Sequence, residues 1–306
     1  MSRELPQGLD PAAFDAFHDD PAAWRPAMDD LLRAQGWSGD WQPAGEGTVL
    51  VALLGNAQVL KLYPPFLRDH WAFEHGLMPR LHGRLSLPTP RLLASGEEQG
   101  WPWTRMSLLP GRLLEEVWAG YDEDLRERLL RRIGQLMHEV HALPVGEQAQ
   151  LALPWPEFLA ARRTGVLARQ QRTGLPAHCL AELPAYLDGP IPAGPDVLLT
   201  GEYAPMNLLV DDAGQLCGMF DFGDGLVGPA AYDWLGPLTF LGAGRPARVR
   251  ALFEGLGLTA APDPDALMRL LLLHRYSCLR IQLRDVPDWQ HEADLGALAR
   301  RLFGAG

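Results

Sequence analysis

Three widely separated segments of this 306-residue sequence carry residue types that could act together in phosphoryl transfer. Phosphoryl transfer asks little covalent chemistry of a protein. It needs a cation on the nucleotide phosphates, an acid to hold that cation, oxygen ligands for magnesium and a carboxylate beside the attacking hydroxyl. In that order, the sequence offers these groups: Lys61, Glu74, the Asn207 and Asp221 pair, and Glu202.

Lys61 is the only lysine among 27 cationic side chains, the others all being arginine. A sequence with this bias uses arginine wherever a generic surface cation is sufficient. A compact ammonium on a flexible stem is needed where a point charge must contact phosphate oxygens in a tight space. Alone, Lys61 is equally well interpreted as a chance residue on an edge strand. Its combination with Glu74, Asn207 and Asp221 favours phosphate binding.

The composition excludes several classes of protein. Hydrophobic residues make up 47% and charged residues 21%, which is typical of a globular protein and not of a disordered chain or a fibre. A net charge of −11 disfavours nucleic acid or an anionic membrane as partner and leaves room for a cationic ligand. The cysteines (Cys179, Cys217 and Cys278) are far apart, so neither a disulfide framework nor a zinc site is expected. The N-terminus resembles no signal peptide, and we expect a cytoplasmic protein.

Hydrophobic periodicity predicts a sheet first and helices afterwards. Short helices are expected over residues 1–35, where Asp10-Pro11 and Asp20-Pro21 are typical helix starts. Strands are predicted over residues 49–53, 58–62, 91–94, 103–109, 197–200, 207–210 and 216–222. The main further helices are predicted over residues 66–84, 122–142 and about 264–284. The length suggests about two domains, and the predicted boundary at Pro110-Gly111 separates an N-terminal lobe (1–110) from a helical C-terminal lobe (111–306).

Several phrases of the sequence carry a resemblance to a known family. They are Val59-Leu60-Lys61-Leu62-Tyr63-Pro64, Phe73-Glu74, Leu108-Leu109-Pro110-Gly111, Gly201 to Val210, Phe220 to Asp224, and Tyr232-Asp233. The five-residue step from Glu202 to Asn207 matches a kinase catalytic loop, and Asp221-Phe222-Gly223 matches the kinase metal motif. From about residue 43 to 235, the chain resembles the aminoglycoside phosphotransferase and choline kinase-like family of the protein-kinase-like superfamily.

The resemblance implies a fold and further site residues. The implied fold is α+β, bilobal and protein-kinase-like, with a small antiparallel sheet plus one helix in the N-lobe and a mainly helical C-lobe. Gly45 and Gly47 would cover the nucleotide phosphates, and residues 106–109, including Met106 and Leu108, would form the hinge that touches the adenine. Asp233, together with Thr200, would support the catalytic loop.

The catalytic loop departs from the family pattern. The family usually has His-Gly-Asp where this chain has Thr200-Gly201-Glu202. Loss of the histidine removes a ring that braces the loop, and threonine replaces only part of its hydrogen bonding. Glutamate keeps the carboxylate and a similar pKa (about 4.3 against 3.9) but adds a methylene. Because a misplacement of about 1 Å can lower a rate about 100-fold, the loop could retain binding while losing turnover.

Two other motifs have alternative interpretations. Gly223-Asp224-Gly225-Leu226-Val227-Gly228 has the spacing of a dinucleotide-binding turn, and we predict a helix directly after it. No acidic residue lies between Trp234 and Phe253 to bind a ribose, so an oxidoreductase is disfavoured. His138 and His141 lie three apart on a predicted helix, and without a third ligand nearby they are interpreted as ordinary helix residues.

The sequence therefore predicts a small-molecule kinase. The expected reaction transfers the γ-phosphate of ATP (or GTP) to a hydroxyl of a small, amine-bearing acceptor. Asn207 and Asp221 would hold Mg²⁺, and Glu202 would orient or deprotonate the hydroxyl. A cationic acceptor would suit Asp224 and the C-terminal acids (Asp285, Asp288, Glu292 and Asp294). The alternative is a catalytically weak, nucleotide-binding pseudo-kinase. Acceptor identity, the choice of nucleotide and the oligomeric state are left open.

Overall fold

The structure is a computed structural model that describes residues 4–44, 47–201 and 203–306. Packing of the chain divides it into two compact units. The first comprises residues up to Arg84 together with Pro88–Pro110, and the second comprises Leu85–Leu87 together with Gly111–Gly306. Among the described residues, no helix combines the length and apolar character needed to cross a membrane.

The first unit contains a five-stranded antiparallel sheet with strand order β1-β2-β3-β5-β4. Its strands are β1 (Trp41–Pro43), β2 (Leu50–Leu54), β3 (Gln58–Leu62), β4 (Leu92–Glu98) and β5 (Trp101–Ser107). Its helices are α1 (Pro11–His18), α2 (Pro21–Ala34) and α3 (Arg68–Leu81), the last preceded by a 3₁₀ turn at Pro65–Leu67. The predicted hairpin and helices are therefore confirmed, with small shifts at their ends.

The prolines at the starts of α1 and α2 follow aspartates that cap these helices. The Asp10 carboxylate accepts a hydrogen bond from the Ala13 amide at 2.8 Å, and Asp20 accepts one from the Ala22 amide at 3.1 Å. Such side chains satisfy amides that have no partner within the first turn of a helix. The caps explain why both helices begin where the sequence predicts.

The two faces of the sheet are covered by different helices. Leu60 and Leu62 of β3 are buried in a hydrophobic cluster with Phe14 and Trp24 of α1 and α2. Because successive side chains of a strand point to opposite faces, Lys61 points to the other face. That face is the one on which α3 lies. The alternation along β3 thus directs one cation away from the apolar core.

The second unit is mainly helical. Its helices are α4 (Leu114–Val117), α5 (Glu123–His141), α6 (Gln148–Leu151), α7 (Trp155–Arg163), α8 (Val166–Arg172), α9 (Ala177–Leu187), α10 (Ala231–Pro237), α11 (Pro246–Gly255), α12 (Pro264–Leu272), α13 (Leu279–Gln282) and α14 (Leu295–Phe303). The long predicted helix over 122–142 is confirmed as α5. Gly134 of α5 allows close packing against α11, since a Cβ there would lie 2.5 Å from the Leu252 carbonyl oxygen.

Short strands interrupt the helices of the second unit. They are β6 (Arg112–Leu113), β7 (Asp196–Leu199), β8 (Leu208–Val210), β9 (Leu216–Met219) and β10 (Leu226–Pro229). They form two antiparallel sheets with the orders β6-β8-β9 and β10-β7. The loops after β7 and β9 contain the two motifs singled out in the sequence, and these sheets therefore position them.

One sequence-based expectation for this unit is wrong and another is confirmed. The helix predicted over about 264–284 is broken between α12 and α13, where the Arg162 guanidinium donates to the backbone carbonyls of Leu273, His274 and Arg275. These bonds satisfy carbonyls that a continuous helix would have paired with its own amides. The helix predicted directly after the Gly223–Gly228 motif is confirmed as α10. The last three residues of the motif lie in the antiparallel strand β10, so the motif itself does not form the helix N-terminus that binds a pyrophosphate.

Candidate phosphotransfer site

The ammonium of Lys61 is paired with the carboxylate of Glu74 inside the first unit. Lys61 Nζ lies 2.9 Å from Glu74 Oε1 and 3.1 Å from Oε2. The two side chains are only 8% and 1% exposed. A charge buried this far from water is stable only with a partner, so each residue depends on the other. The structure thus brings together the two residues that the sequence predicts as cation and holding acid.

Tyr63 completes this pair, and the sequence-based reasoning assigned it no role. Its phenol donates a short hydrogen bond to Glu74 Oε2, and its side chain is buried. Two acceptor oxygens of Glu74 are therefore shared between an ammonium and a hydroxyl. Period-two alternation could have identified Tyr63, since it lies two residues after Lys61 and just past the end of β3.

The predicted nucleotide-covering turn and hinge are described only in part. Gly45 lies outside the described residues, whereas Gly47 is exposed. Met106 is buried on β5 opposite Val59. Leu108 follows that strand, is 36% exposed, and donates its amide to the Ala57 carbonyl at 2.8 Å. Contacts of these residues with a nucleotide stay predictions.

The predicted catalytic loop is anchored through its backbone to Asp233. The Thr200 amide donates to Asp233 Oδ2 at 3.2 Å, and the Gly201 amide donates to Oδ1 at 3.1 Å. Asp233 lies on α10 and is 1% exposed. One buried carboxylate therefore holds two successive amides directly before Glu202, which itself lies outside the described residues. These bonds are the ones that a supporting role for Asp233 requires.

His141 contacts the same carboxylate from a different helix. Its Nε2 lies 3.0 Å from Asp233 Oδ2, at the C-terminal end of α5. The sequence-based interpretation treated His141 as an ordinary helix residue, and its partner lies 92 residues away in the sequence. No local pattern indicates such a distant contact. The histidine gives the loop a brace although the loop has a threonine in place of the family's histidine.

Asn207 and Asp221 are brought together by the pairing of β8 with β9. Leu208 lies opposite Met219, and the Phe220 amide donates to the Asn207 carbonyl at 3.1 Å. Asp221 follows directly with φ of +69°, a left-handed conformation that is uncommon for residues other than glycine. Such a backbone persists only where surrounding structure imposes it. The predicted metal ligands thus flank one antiparallel pair.

The donor set at this pair fits a magnesium ion. Amide and carboxylate oxygens are ligands that Mg²⁺ accepts, and protein sites commonly provide one or two such groups while nucleotide phosphates and water complete the shell. Within residues 4–44, 47–201 and 203–306, no group of three histidine, cysteine, aspartate or glutamate side chains could hold a metal by itself.

Asp224, the candidate contact for a cationic acceptor, is held by two side chains of its own unit. Its Oδ1 accepts a hydrogen bond from the Tyr276 phenol at 2.6 Å and lies 3.3 Å from Arg275 Nη1. Both partners lie in the segment where the predicted helix is broken. A cationic acceptor at this carboxylate would share it with a guanidinium.

His274 is a neutral, buried residue of the same segment. Burial lowers the pKa of its imidazole to about 3. The nearby Asp224 carboxylate acts to raise this pKa, and the guanidinium groups of Arg275 and Arg162 act to lower it. The ring stacks on Tyr232 with centroids 4.5 Å apart. A group of this kind makes the folded state sensitive to acid.

We expect the free energy of unfolding to decrease as the pH is lowered from about 6.5 towards 3. The unfolded chain binds a proton on His274 below the ordinary pKa of 6.5, whereas the folded chain resists protonation until about pH 3. This group therefore contributes a loss of up to about 1.4 kcal/mol per pH unit. Urea unfolding at pH 7 and pH 5 measures the loss. His274→Gln should reduce it, and an equal loss in the variant would contradict the assignment.

Solved structures of phosphotransferases share this fold. APH(2″)-IIIa in complex with GDP and kanamycin has a TM-score of 0.66 at 21% identity, covering 83% of this chain and 93% of that one. APH(3″)-Id from Streptomyces rimosus has a TM-score of 0.62 at 17% identity, covering 81% and 97%. Macrolide 2′-phosphotransferase MphH from Brachybacterium faecium has a TM-score of 0.58 at 21% identity, covering 90% and 97%. The predicted protein-kinase-like fold is confirmed.

The family assignment comes from the sequence of the chain. Comparison with curated proteins finds no match. A model of the phosphotransferase enzyme family matches residues 42–270. This range includes the Lys61–Glu74 pair, Asp233 with the amides that it holds, and the Asn207–Asp221 pair. The predicted enzyme class, a small-molecule kinase, agrees with this match. The chain belongs to the phosphotransferase enzyme family.

Proposed function

We propose that this protein transfers the γ-phosphate of ATP or GTP to a hydroxyl of a small, amine-bearing molecule in a Mg²⁺-dependent reaction. The observation that carries the proposal is the buried pairing of Lys61 with Glu74, in a chain with no other lysine. An arginine would serve as well in a structural ion pair, whereas a lysine binds phosphate as a compact point charge. A cytoplasmic location remains part of the proposal.

Different residues of the chain would bind the nucleotide phosphates and the metal ion. Lys61, oriented by Glu74, would contact the nucleotide phosphates, and Asn207 with Asp221 would hold Mg²⁺. Bound magnesium would supply positive charge to the phosphate oxygens. Asp233 supports the proposal because it fixes the two amides that precede Glu202.

The proposed transfer step is a single displacement at phosphorus. The acceptor hydroxyl oxygen bonds to the γ-phosphorus while the bond from that phosphorus to the β–γ bridging oxygen breaks. The electron pair of the broken bond stays on the departing nucleoside diphosphate, and the hydroxyl proton passes to the Glu202 carboxylate. In a loose transition state, alignment and charge stabilisation contribute more than proton removal.

An acceptor screen tests the function. ATP and GTP are each added with and without Mg²⁺ while thermal stability is followed. Nucleoside diphosphate release is then measured with a panel containing kanamycin, a macrolide, choline and amine-free sugars. We expect magnesium-dependent stabilisation and release that requires an amine-bearing alcohol. Turnover with amine-free sugars alone would overturn the acceptor class.

A second candidate is a nucleotide-binding pseudo-kinase. It is favoured by the Thr200-Gly201-Glu202 loop, in which two of three family residues are replaced. Magnesium-dependent nucleotide binding without turnover on any acceptor of the panel would support this candidate against the first.

Replacing Glu202 with aspartate is expected to maintain or raise turnover. The change keeps the carboxylate and removes the extra methylene, which restores the chain length usual in the family. Glu202→Gln, which keeps the length and removes the charge, should lower kcat about 100-fold or more. Steady-state kinetics at saturating nucleotide measures both. Indifference of kcat to both changes would remove Glu202 from the mechanism.

A further inference from the structure

The turn between α12 and α13, residues 273–278, is held in place by a cation from another helix. Arg162 of α7 donates to the carbonyl oxygens of Leu273, His274 and Arg275 at 3.3, 2.9 and 2.8 Å. The amide of Arg275 donates to the Tyr232 hydroxyl at 3.1 Å. With its carbonyls and an amide bonded to other elements, this turn is fixed relative to α7 and α10.

The turn projects a phenol onto the loop that follows Asp221. The Tyr276 hydroxyl donates to Asp224 Oδ1 at 2.6 Å, and the Arg275 guanidinium lies 3.3 Å from the same oxygen. A hydrogen bond to a charged acceptor is stronger than one between neutral groups. Asp224 lies three residues after Asp221, so this contact fixes the loop that carries the proposed metal ligand.

The backbone of Asp224 in turn packs against the catalytic loop. Gly201 has φ of +91°, and a Cβ on it would lie 2.3 Å from the Asp224 carbonyl oxygen. The backbones of the two loops therefore pack closely against each other at Gly201 and Asp224. A displacement of Asp224 would therefore disturb the catalytic loop at Gly201.

We propose that Tyr276 is a positioning residue for phosphotransfer: by holding Asp224, it sets the placement of Gly201, in the catalytic loop, relative to Asp221. The inference rests on the proposed function and assigns Asp224 to loop positioning instead of acceptor binding. The turn thereby supplies, from a remote part of the chain, support to a loop that lacks the histidine usual in the family.

Tyr276→Phe tests the proposal because it removes one oxygen and keeps the ring. Tyr186→Phe is the matched control, since the Tyr186 hydroxyl donates to Asp265 Oδ1 at the same 2.6 Å in the same unit. We expect Tyr276→Phe to lower kcat about 10-fold with unchanged KM values for nucleotide and acceptor, because misplacement affects the reacting geometry. Tyr186→Phe should leave kcat unchanged.

A double variant tests whether Tyr276 acts through Asp224. If it does, adding Tyr276→Phe to Asp224→Asn should lower kcat by less than twofold beyond Asp224→Asn alone, because the shared contact is already weakened. If the two changes lower kcat multiplicatively, the proposal that Tyr276 acts through Asp224 is overturned. A raised acceptor KM at unchanged kcat in Tyr276→Phe would instead assign these residues to acceptor binding.

Hydrogen–deuterium exchange separates failure of this inference from failure of the proposed function. In Tyr276→Phe, amides of residues 198–207 and 221–226 should exchange faster than in wild type, while Tyr186→Phe leaves them unchanged. This result would stand even if the wild-type chain turned over no acceptor, in which case only the proposed function would fail. Unchanged exchange of these amides in Tyr276→Phe would overturn the positioning role.

Discussion

Replacing Lys61 with methionine is expected to lower turnover at least about 100-fold, the effect of removing one buried donor from a charge-stabilising site. The same change leaves the Glu74 carboxylate buried without the ammonium, while the Tyr63 phenol still donates to it. Breaking a buried ion pair from one side costs about 3–5 kcal/mol of stability. Turnover and urea unfolding are therefore both measured, since loss of the cation and loss of stability could each lower activity.

A double change separates phosphate binding from stability. In Lys61→Met with Glu74→Gln, the buried charge is removed, and the Tyr63 hydroxyl can still donate to the amide oxygen. We expect most of the lost stability to return while turnover and magnesium-dependent nucleotide binding stay low. Recovery of turnover together with stability would mean that Lys61 serves the fold and has no part in binding phosphate.

The second large effect is expected from Asp221→Asn, which should lower turnover about 100-fold or more by removing the charge of the proposed magnesium ligand. The left-handed backbone at this position, with φ of +69°, is one that asparagine adopts more readily than most residues. The change therefore tests the carboxylate charge with little strain on the loop. Thermal stabilisation by ATP is measured over a magnesium titration, together with turnover.

Asp212→Asn provides the control for this experiment. Asp212 lies in the exposed turn between β8 and β9, so it removes the same charge from the same hairpin at the end away from Asn207 and Asp221. Its magnesium dependence should match that of the wild-type chain. Equal magnesium dependence in Asp221→Asn and Asp212→Asn would exclude Asp221 as a metal ligand.

Elements with a strong local pattern could be predicted from the sequence. The strand β3 has the bounds expected from its alternation, and α5 differs from the predicted 122–142 by one residue at each end. In both cases the period of the apolar side chains and the residues at the ends favour the same structure. The residues Lys61 and Glu74 could be paired in advance because a strand and the next helix carry them in a recognisable order.

The break between α12 and α13 could not be predicted in this way. Residues 264–284 keep a helical pattern, yet Arg162 from α7 captures the carbonyls of 273–275 and ends the helix there. The contacts of Tyr276 with Asp224 and of His141 with Asp233 span 52 and 92 residues. Such contacts depend on how helices pack, and a local period carries no information about them.

By itself, the sequence determined which side chains can do chemistry and the strands and helices that carry them, because residue type and periodicity act over a few neighbours. Tertiary structure alone decided how those side chains are supported: Tyr63 on Glu74, His141 on Asp233, and Tyr276 on Asp224. A buried carboxylate must find donors wherever the packed chain brings them. The donors that it finds can lie anywhere in the sequence, and only the folded chain identifies them.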